Sequence, residues 1–345
     1  MTPQFPRAPV ATYAEILSII AEFPAADLIA AAEVAARDAT LTKPAGSLGR
    51  LEDIAVWLAS WQGTASPHCD HPRVAVFAAN HGIAARGVSA FPPEVTKQMV
   101  ANFLHGGAAI NQLCRVFDAD LRVYELDLDH PTADFTAGAA MTESDAMTAL
   151  AYGMMAVEPA VDIICVGEMG IANTTAAAAL CHGIFGGEAR DWVGRGTGVT
   201  DSQLAIKTEL VAAAVVRHRD RSDQPLALLA ALGGREFCAM VGAIIAARMA
   251  RVPVILDGFV SCAAAAVVYA IDKNGLDHCL VGHVSAEAAH RRLIARLGKS
   301  ALLDLNMRLG EGSGAALALG LVRAAVACHK GMATFAEAAV SGKGG

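Results

Sequence analysis

Aromatic residues are scarce in this chain, only 5% of 345 positions, although 54% of it is hydrophobic. Its apolar mass is therefore mostly Ala, Val, Leu and Ile, which favours helices packed closely on a buried sheet. Charge is sparse as well, at 18%, with a formal net charge of -7 and a pI near 5.9. No basic field attracts phosphate backbones, so nucleic acid is not expected as a partner. Long apolar runs are also missing. The best candidate, Gly258 to Ile271, stops at Asp272 and Lys273, short of the roughly 20 residues that a spanning helix needs. The N-terminus lacks a basic stretch followed by an apolar one and a small-residue cleavage site, so a cytoplasmic protein is expected. Eight cysteines are scattered with no CxxC pair and read as reduced core residues. His68, Cys69, Asp70 and His71 are metal-binding types, but four consecutive ligands suit neither helix nor strand geometry. A polar loop is expected there, with no metal.

What is present is alternation. Residues 12 to 62 carry helical periodicity, broken by the punctuated segment Lys43 to Arg50. Short apolar strands then alternate with glycine-bearing turns and Ala-rich helices: Val74 to Ala79, Leu121 to Leu126, Asp162 to Val166, Pro253 to Leu256 and His278 to Val281. This order predicts an α/β fold, a doubly wound and mostly parallel sheet with helices on both faces. The segment Ala315 to Ala339 reads as helical with no strand after it, and is expected to pack with the N-terminal helices as a smaller helical subdomain. The expected division is an α/β domain over 30–309 and a helical unit from 1–29 and 310–345.

Ligands of such sheets bind beyond the carboxyl ends of the strands, so the turns carry the information. Gly167 to Thr175 combines two glycines with Asn173, Thr174 and Thr175 ahead of a polyalanine helix. That is a phosphate cradle or an ordinary capped turn. Glu168 within it is harder to explain structurally, because a carboxylate there must be solvated, paired or working. Gly194 to Asp201 precedes a helix bearing Lys207; it could wrap a phosphate or be a surface loop. Ser285 in Gly282 to Glu287 is expected to open a helix, as an N-cap or as a phosphate ligand. Asp257-Gly258 is a plain turn or a ribose contact. In Met307 to Ala315 three glycines surround Glu311 just before a helix. His81, in Asn80-His81-Gly82, is more often a hydrogen-bonded support than a proton carrier.

Together these turns resemble one family, the nicotinate-nucleotide:dimethylbenzimidazole phosphoribosyltransferases. The matching blocks are KPAGSLGRLE (Lys43 to Glu52), NHG (Asn80 to Gly82), GEMGIANTT (Gly167 to Thr175), PVILDGFVS (Pro253 to Ser261), HVSAE (His283 to Glu287) and MRLGEGSGAAL (Met307 to Leu317). Their order covers nearly the whole chain. The resemblance implies a homodimer of doubly wound subunits, a catalytic base at Glu311 and a second site carboxylate at Glu168. It implies phosphate contacts at Gly170, Gly196, Lys207 and Ser285. Phe91 and Met99 stand where other members carry a serine and a glutamine at the incoming base. Met169 and Leu309, each beside a turn glycine, complete the expected substrate contacts. Some members also have an acid where Asn80 stands.

The implied reaction moves the phosphoribosyl group of nicotinate mononucleotide to 5,6-dimethylbenzimidazole, giving α-ribazole 5'-phosphate and nicotinate. The departing pyridinium is already positive and needs no acid, so one base suffices, and neither metal nor organic cofactor is required. Two rival readings stand beside it. A phosphoribosyltransferase using the pyrophosphorylated sugar would show two adjacent acids after a strand, whereas Glu125, Asp127 and Asp129 alternate. A non-catalytic nucleotide sensor of the same fold has similar turns and differs only in lacking turnover.

Overall fold

The computed structural model describes residues 5, 11–196 and 198–341. Thr197 in the second glycine turn, most of the first ten residues and the tail 342–345 lie outside the described residues.

Three helices come first: α1 (Tyr13–Ala21), α2 (Leu28–Asp38) and α3 (Arg50–Gln62). Thr12 caps α1 through a reciprocal box with Glu15, and Asp27 caps α2 by accepting two backbone N–H groups. Strand β1 (Pro72–Ala78) is followed by α4 (Glu94–Leu104) and α5 (Ala109–Val116), then by β2 (Asp120–Glu125), α6 (Glu143–Met154) and β3 (Ile163–Met169). Next come α7 (Asn173–Phe185), α8 (Asp201–Arg217), α9 (Pro225–Leu232) and α10 (Arg235–Met249). The chain closes with β4 (Val254–Leu256), α11 (Phe259–Ile271), β5 (Cys279–His283), α12 (His290–Arg296), β6 (Ala301–Leu303) and α13 (Ser313–Gly331).

All six strands are parallel, in the order β2-β1-β3-β4-β5-β6. The expected doubly wound sheet is thus present, with one strand more than the sequence suggested. Residues of α6, α7, α9, α10, α11 and α12 share one core, and those of α2 to α5 and α13 share another on the opposite face. Glycines let the helices touch. A Cβ on Gly153 of α6 would lie 1.9 Å from the Ala239 carbonyl, and one on Gly242 of α10 would lie 1.9 Å from that of Leu150. Backbones this close admit only glycine.

The two chain ends meet. Arg37 of α2 donates to the His329 and Met332 carbonyls, and Leu41 forms an isolated antiparallel bridge with Thr334. Helix α1 lies on the other face, where Ile16 and Ile20 enter the larger core. The final helix is shorter than expected: it ends at Gly331 and gives way to turns.

The order reverses between β1 and β3, because the chain first adds β2 on one side and then returns to add β3 on the other. A crevice at such a reversal is where open α/β sheets bind ligands.

Candidate active site

Four buried acids converge at that crevice. Glu168 is not in a turn, as the sequence suggested, but near the end of β3, which runs three residues beyond Val166; Glu168 lies opposite Phe77 of β1. Strand β1 alone supplies the partners for this extension, pairing Gly167 to Met169 with Val76 to Ala78, and no local signal at Gly167 announces it. Asn173 donates its side-chain amide to Glu168 Oε2. Glu311 arrives from the turn before α13, its N–H donating to the Glu168 carbonyl at 3.2 Å. Asp257, at the end of β4, and Glu236, in the first turn of α10, complete the group.

Backbone approach makes this meeting possible. A Cβ on Gly167 would fall 2.3 Å from the Gly312 nitrogen, and one on Gly310 would fall 2.7 Å from Glu168 Oε1. Asp257 is more than a plain turn residue. Its two oxygens accept the N–H groups of Gly312, Gly314 and Ala315 at 3.1, 2.7 and 3.0 Å. The carboxylate therefore occupies the positive end of α13 and fixes the turn that carries Glu311.

Burial sets the proton affinities. The Glu168 carboxyl is pushed up to about 8, first by desolvation and then by the charges of Asp257, Glu236 and Glu311, with the Asn173 bond opposing. Glu311 is pushed up to about 7 by desolvation and by Asp257, against an N–H donated by Ile110. Its Oε2 is buried with no hydrogen-bond partner among the described residues. A carboxylate oxygen left open in this way can take a proton from a bound molecule.

A second group lies beside the first. Lys207 of α8 is fully buried, its Nζ donating to Thr174 Oγ1 at 2.8 Å and to the Gly194 carbonyl at 3.1 Å. Desolvation lowers its ammonium to about 8, with Glu287 opposing. Gly196 holds a left-handed conformation (φ 55°), and a Cβ there would touch Thr174 Oγ1 at 3.0 Å. Ser285 does not open a helix, since α12 begins only at His290. Its Oγ accepts the Glu287 N–H at 3.3 Å, and its own N–H goes to His290 Nδ1 at 2.8 Å. Consecutive residues at the start of α7 join the two groups, Asn173 touching Glu168 and Thr174 touching Lys207.

The expected base contacts are looser. Met99 of α4 and Met169 are partly buried at the edge of the smaller core, and Thr96 ties α4 to the loop after β3 by accepting the Ile171 N–H at 3.1 Å. Phe91 and Leu309 are 49% and 56% exposed. The structure thus brings Glu168, Glu311 and Gly170 together, and separately Gly196 and Lys207, with Ser285 joined to the latter through Glu287. Sequence reading missed Asp257 as the anchor of the Glu311 turn, Thr174 as the partner of Lys207, and Glu236 altogether. The Asp-Gly pair after β4 was the available signal for Asp257; Glu236 carries none. The segment His68 to His71 is a loop whose Asp70 and His71 N–H groups both bond Asp162, and no metal-holding group of three or more such residues occurs among the described residues.

A family model described as phosphoribosyltransferase matches residues 23–340. The chain is 59% identical over 330 residues to a nicotinate-nucleotide–dimethylbenzimidazole phosphoribosyltransferase of Methylocella silvestris, covering 96% of this chain and 97% of that protein. It is 58% identical to the protein of the same name from a Ruegeria species, over 96% and 98%. The crystal structure of CobT from Thermus thermophilus superposes with a TM-score of 0.86 at 41% identity, covering 91% of this chain and 99% of that one. The chain belongs to the nicotinate-nucleotide–dimethylbenzimidazole phosphoribosyltransferase family.

Proposed function

We propose that this protein transfers the phosphoribosyl group of nicotinate mononucleotide to 5,6-dimethylbenzimidazole, with Glu311 as the base. The observation carrying this reading is a buried carboxylate whose Oε2 has no partner among the described residues, at the sheet's reversal point, beside a second group centred on a buried lysine. The benzimidazole nitrogen attacks the ribose C1' while the bond from C1' to the pyridinium nitrogen breaks, its electron pair leaving with nicotinate. Positive charge grows on the benzimidazole, and its opposite N–H gives its proton to Glu311. Attack opposite the leaving group turns the β-nucleotide into an α-riboside. Gly170, Gly196, Lys207 and Ser285 hold the phosphate, a remote handle that positions the sugar. Met99, Met169, Phe91 and Leu309 offer the flat bases an apolar surface.

Burial raises both carboxyls, Glu168 to about 8 and Glu311 to about 7. At neutral pH Glu168 holds its proton more firmly than Glu311, so Glu311 is the one of the two that accepts a proton. The direct assay is nicotinate release from the mononucleotide with and without a benzimidazole. Release only with the base supports the reading, and tight binding without release would make the protein a sensor. Glu311→Gln keeps the shape but removes the acceptor. Substrate binding should persist while kcat falls by about 10²–10⁴, and an unchanged kcat would remove Glu311 from the mechanism.

We also read the protein as a cytoplasmic homodimer. All eight cysteines are free and seven of them are buried, as reduced core thiols would be. Leu104 and Val116, at the ends of α4 and α5, are 70% and 72% exposed, apolar surface that a second copy would cover. Light scattering should give twice the 35.6 kDa chain mass. Among the described residues no helix is long and apolar enough to cross a membrane.

A further inference from the structure

One buried pair beside the crevice has no part in the reaction as described. His81, after β1, and Glu236, in the first turn of α10, are 2% and 0% exposed and joined by a hydrogen bond between Nε2 and Oε1. Each keeps a second buried polar atom, His81 Nδ1 and Glu236 Oε2, with no partner among the described residues. Two glycines press on the pair. A Cβ on Gly234 would lie 2.3 Å from His81 Cε1 and 2.6 Å from Glu236 Oε2, and one on Gly170 would lie 3.1 Å from Glu236 Oε1. The pair therefore packs directly against the turn that leaves β3. Fixing a loop needs no buried charge, and burying an acid with an open oxygen is costly.

We propose that Glu236, held by His81, is a positioning residue that acts through Glu168, keeping the proton of the Glu168 and Glu311 pair on Glu168. This rests on the reading of those two glutamates given above. The groups facing Glu168 are Glu236 from α10, Asp257 from the end of β4, Glu311 from the turn before α13 and the neutral Asn173 from α7. Glu236 faces His81 and Glu168, while the neighbouring Arg235 turns its guanidinium to the His130 carbonyl. Asp257 is committed to three backbone N–H groups. Glu236 is thus the acid in the group whose charge can act on Glu168 without also holding the Glu311 turn. A negative charge behind Glu168 opposes its ionisation. With Glu168 neutral, Glu311 is the anion that faces the reacting base.

The test is the pH profile of kcat at saturating substrate. The reading above gives a bell, with an acid limb from protonation of Glu311 and an alkaline limb from ionisation of Glu168. Glu236→Gln should move the alkaline limb to lower pH by about one unit and leave KM for the mononucleotide within about twofold. Glu236→Asp, which keeps the charge, should restore the limb. If Glu236→Gln fails to fold, His81→Gln with Glu236→Gln carries the same expectation, because two amides can bond each other without charge. A soluble variant with its alkaline limb unmoved overturns the proposal. Glu168→Gln separates the two levels, since it must abolish the alkaline limb. If that limb persists, the assignment of Glu168 is at fault; if it vanishes while Glu236→Gln changes nothing, only the role of Glu236 fails.

Discussion

Glu311 holds a backbone conformation that side chains resist, with φ at 63°, between two glycines at 84° and 77°. A left-handed residue with a Cβ costs about 1–2 kcal/mol, and here it also buries a carboxylate oxygen that has no partner among the described residues. Strain of this kind persists where function requires it. Glu311→Gly should therefore raise the thermal midpoint while abolishing turnover, which scanning calorimetry and the nicotinate assay together check; a lower midpoint would mean that the glutamate stabilises its turn. Lys207 gives a second expectation at this scale. Its ammonium, lowered to about 8, is charged at neutral pH and lost above it, so KM for the mononucleotide should climb as pH passes through about 8. Lys207→Ala should raise that KM by about 10–100-fold, the range of a lost charged hydrogen bond, with less effect on kcat. An unchanged KM would remove Lys207 from the phosphate site.

At the level of elements, the proposed base is placed by β3 meeting the turn before α13 with no side chain between them. Gly167→Ala would place a Cβ 2.3 Å from the Gly312 nitrogen and 2.5 Å from its Cα, backbone atoms that cannot swing aside. The Glu311 turn must then shift, and a displacement near 1 Å can cost about 10² in rate. Gly138→Ala, where a Cβ meets nothing within 4 Å, is the control and should behave as wild type in kcat. The contrast between these glycines is invisible in the sequence, because it depends on which backbone lies opposite. The same holds elsewhere. Strands β1 to β5 were legible from short apolar runs between turns, whereas β6, Ala301 to Leu303, consists only of helix-favouring Ala and Leu. Ser285 was expected to begin a helix, but its N–H is taken by His290, five residues on. Glu168 and Glu311 stood out because a carboxylate in a glycine turn needs a reason. Glu236 did not, since nothing in Arg235 to Met240 marks an acid whose partner, His81, lies 155 positions away.

For the whole molecule, the group of buried acids couples stability to pH. Glu168 and Glu311 bind protons more tightly when folded, at about 8 and about 7, than at the ordinary 4.5 of an unfolded chain. The folded state therefore holds more protons than the unfolded one between these values, and stability falls as pH rises through that window. Two buried histidines work in the opposite sense. His278 and His290 are lowered from 6.5 to about 3 by burial, with nearby cationic groups adding to it, so they favour the folded state above 6.5 and weaken it as pH drops. Below 6.5 the two effects oppose each other, while above it the carboxylates outweigh the histidines, and the opposing effect of Lys207, lowered to about 8, sets in only toward the top of the window. Thermal midpoints of the ligand-free protein should decline across that upper window. The decline should shrink in Glu168→Gln, whose amide has no proton to lose, and the midpoint of that variant at pH 8 should exceed that of the wild type. A profile that stays flat from 6.5 to 8 would mean that Glu168 and Glu311 ionise in the folded chain near their ordinary values, and the raised proton affinities on which the mechanism depends would go with it.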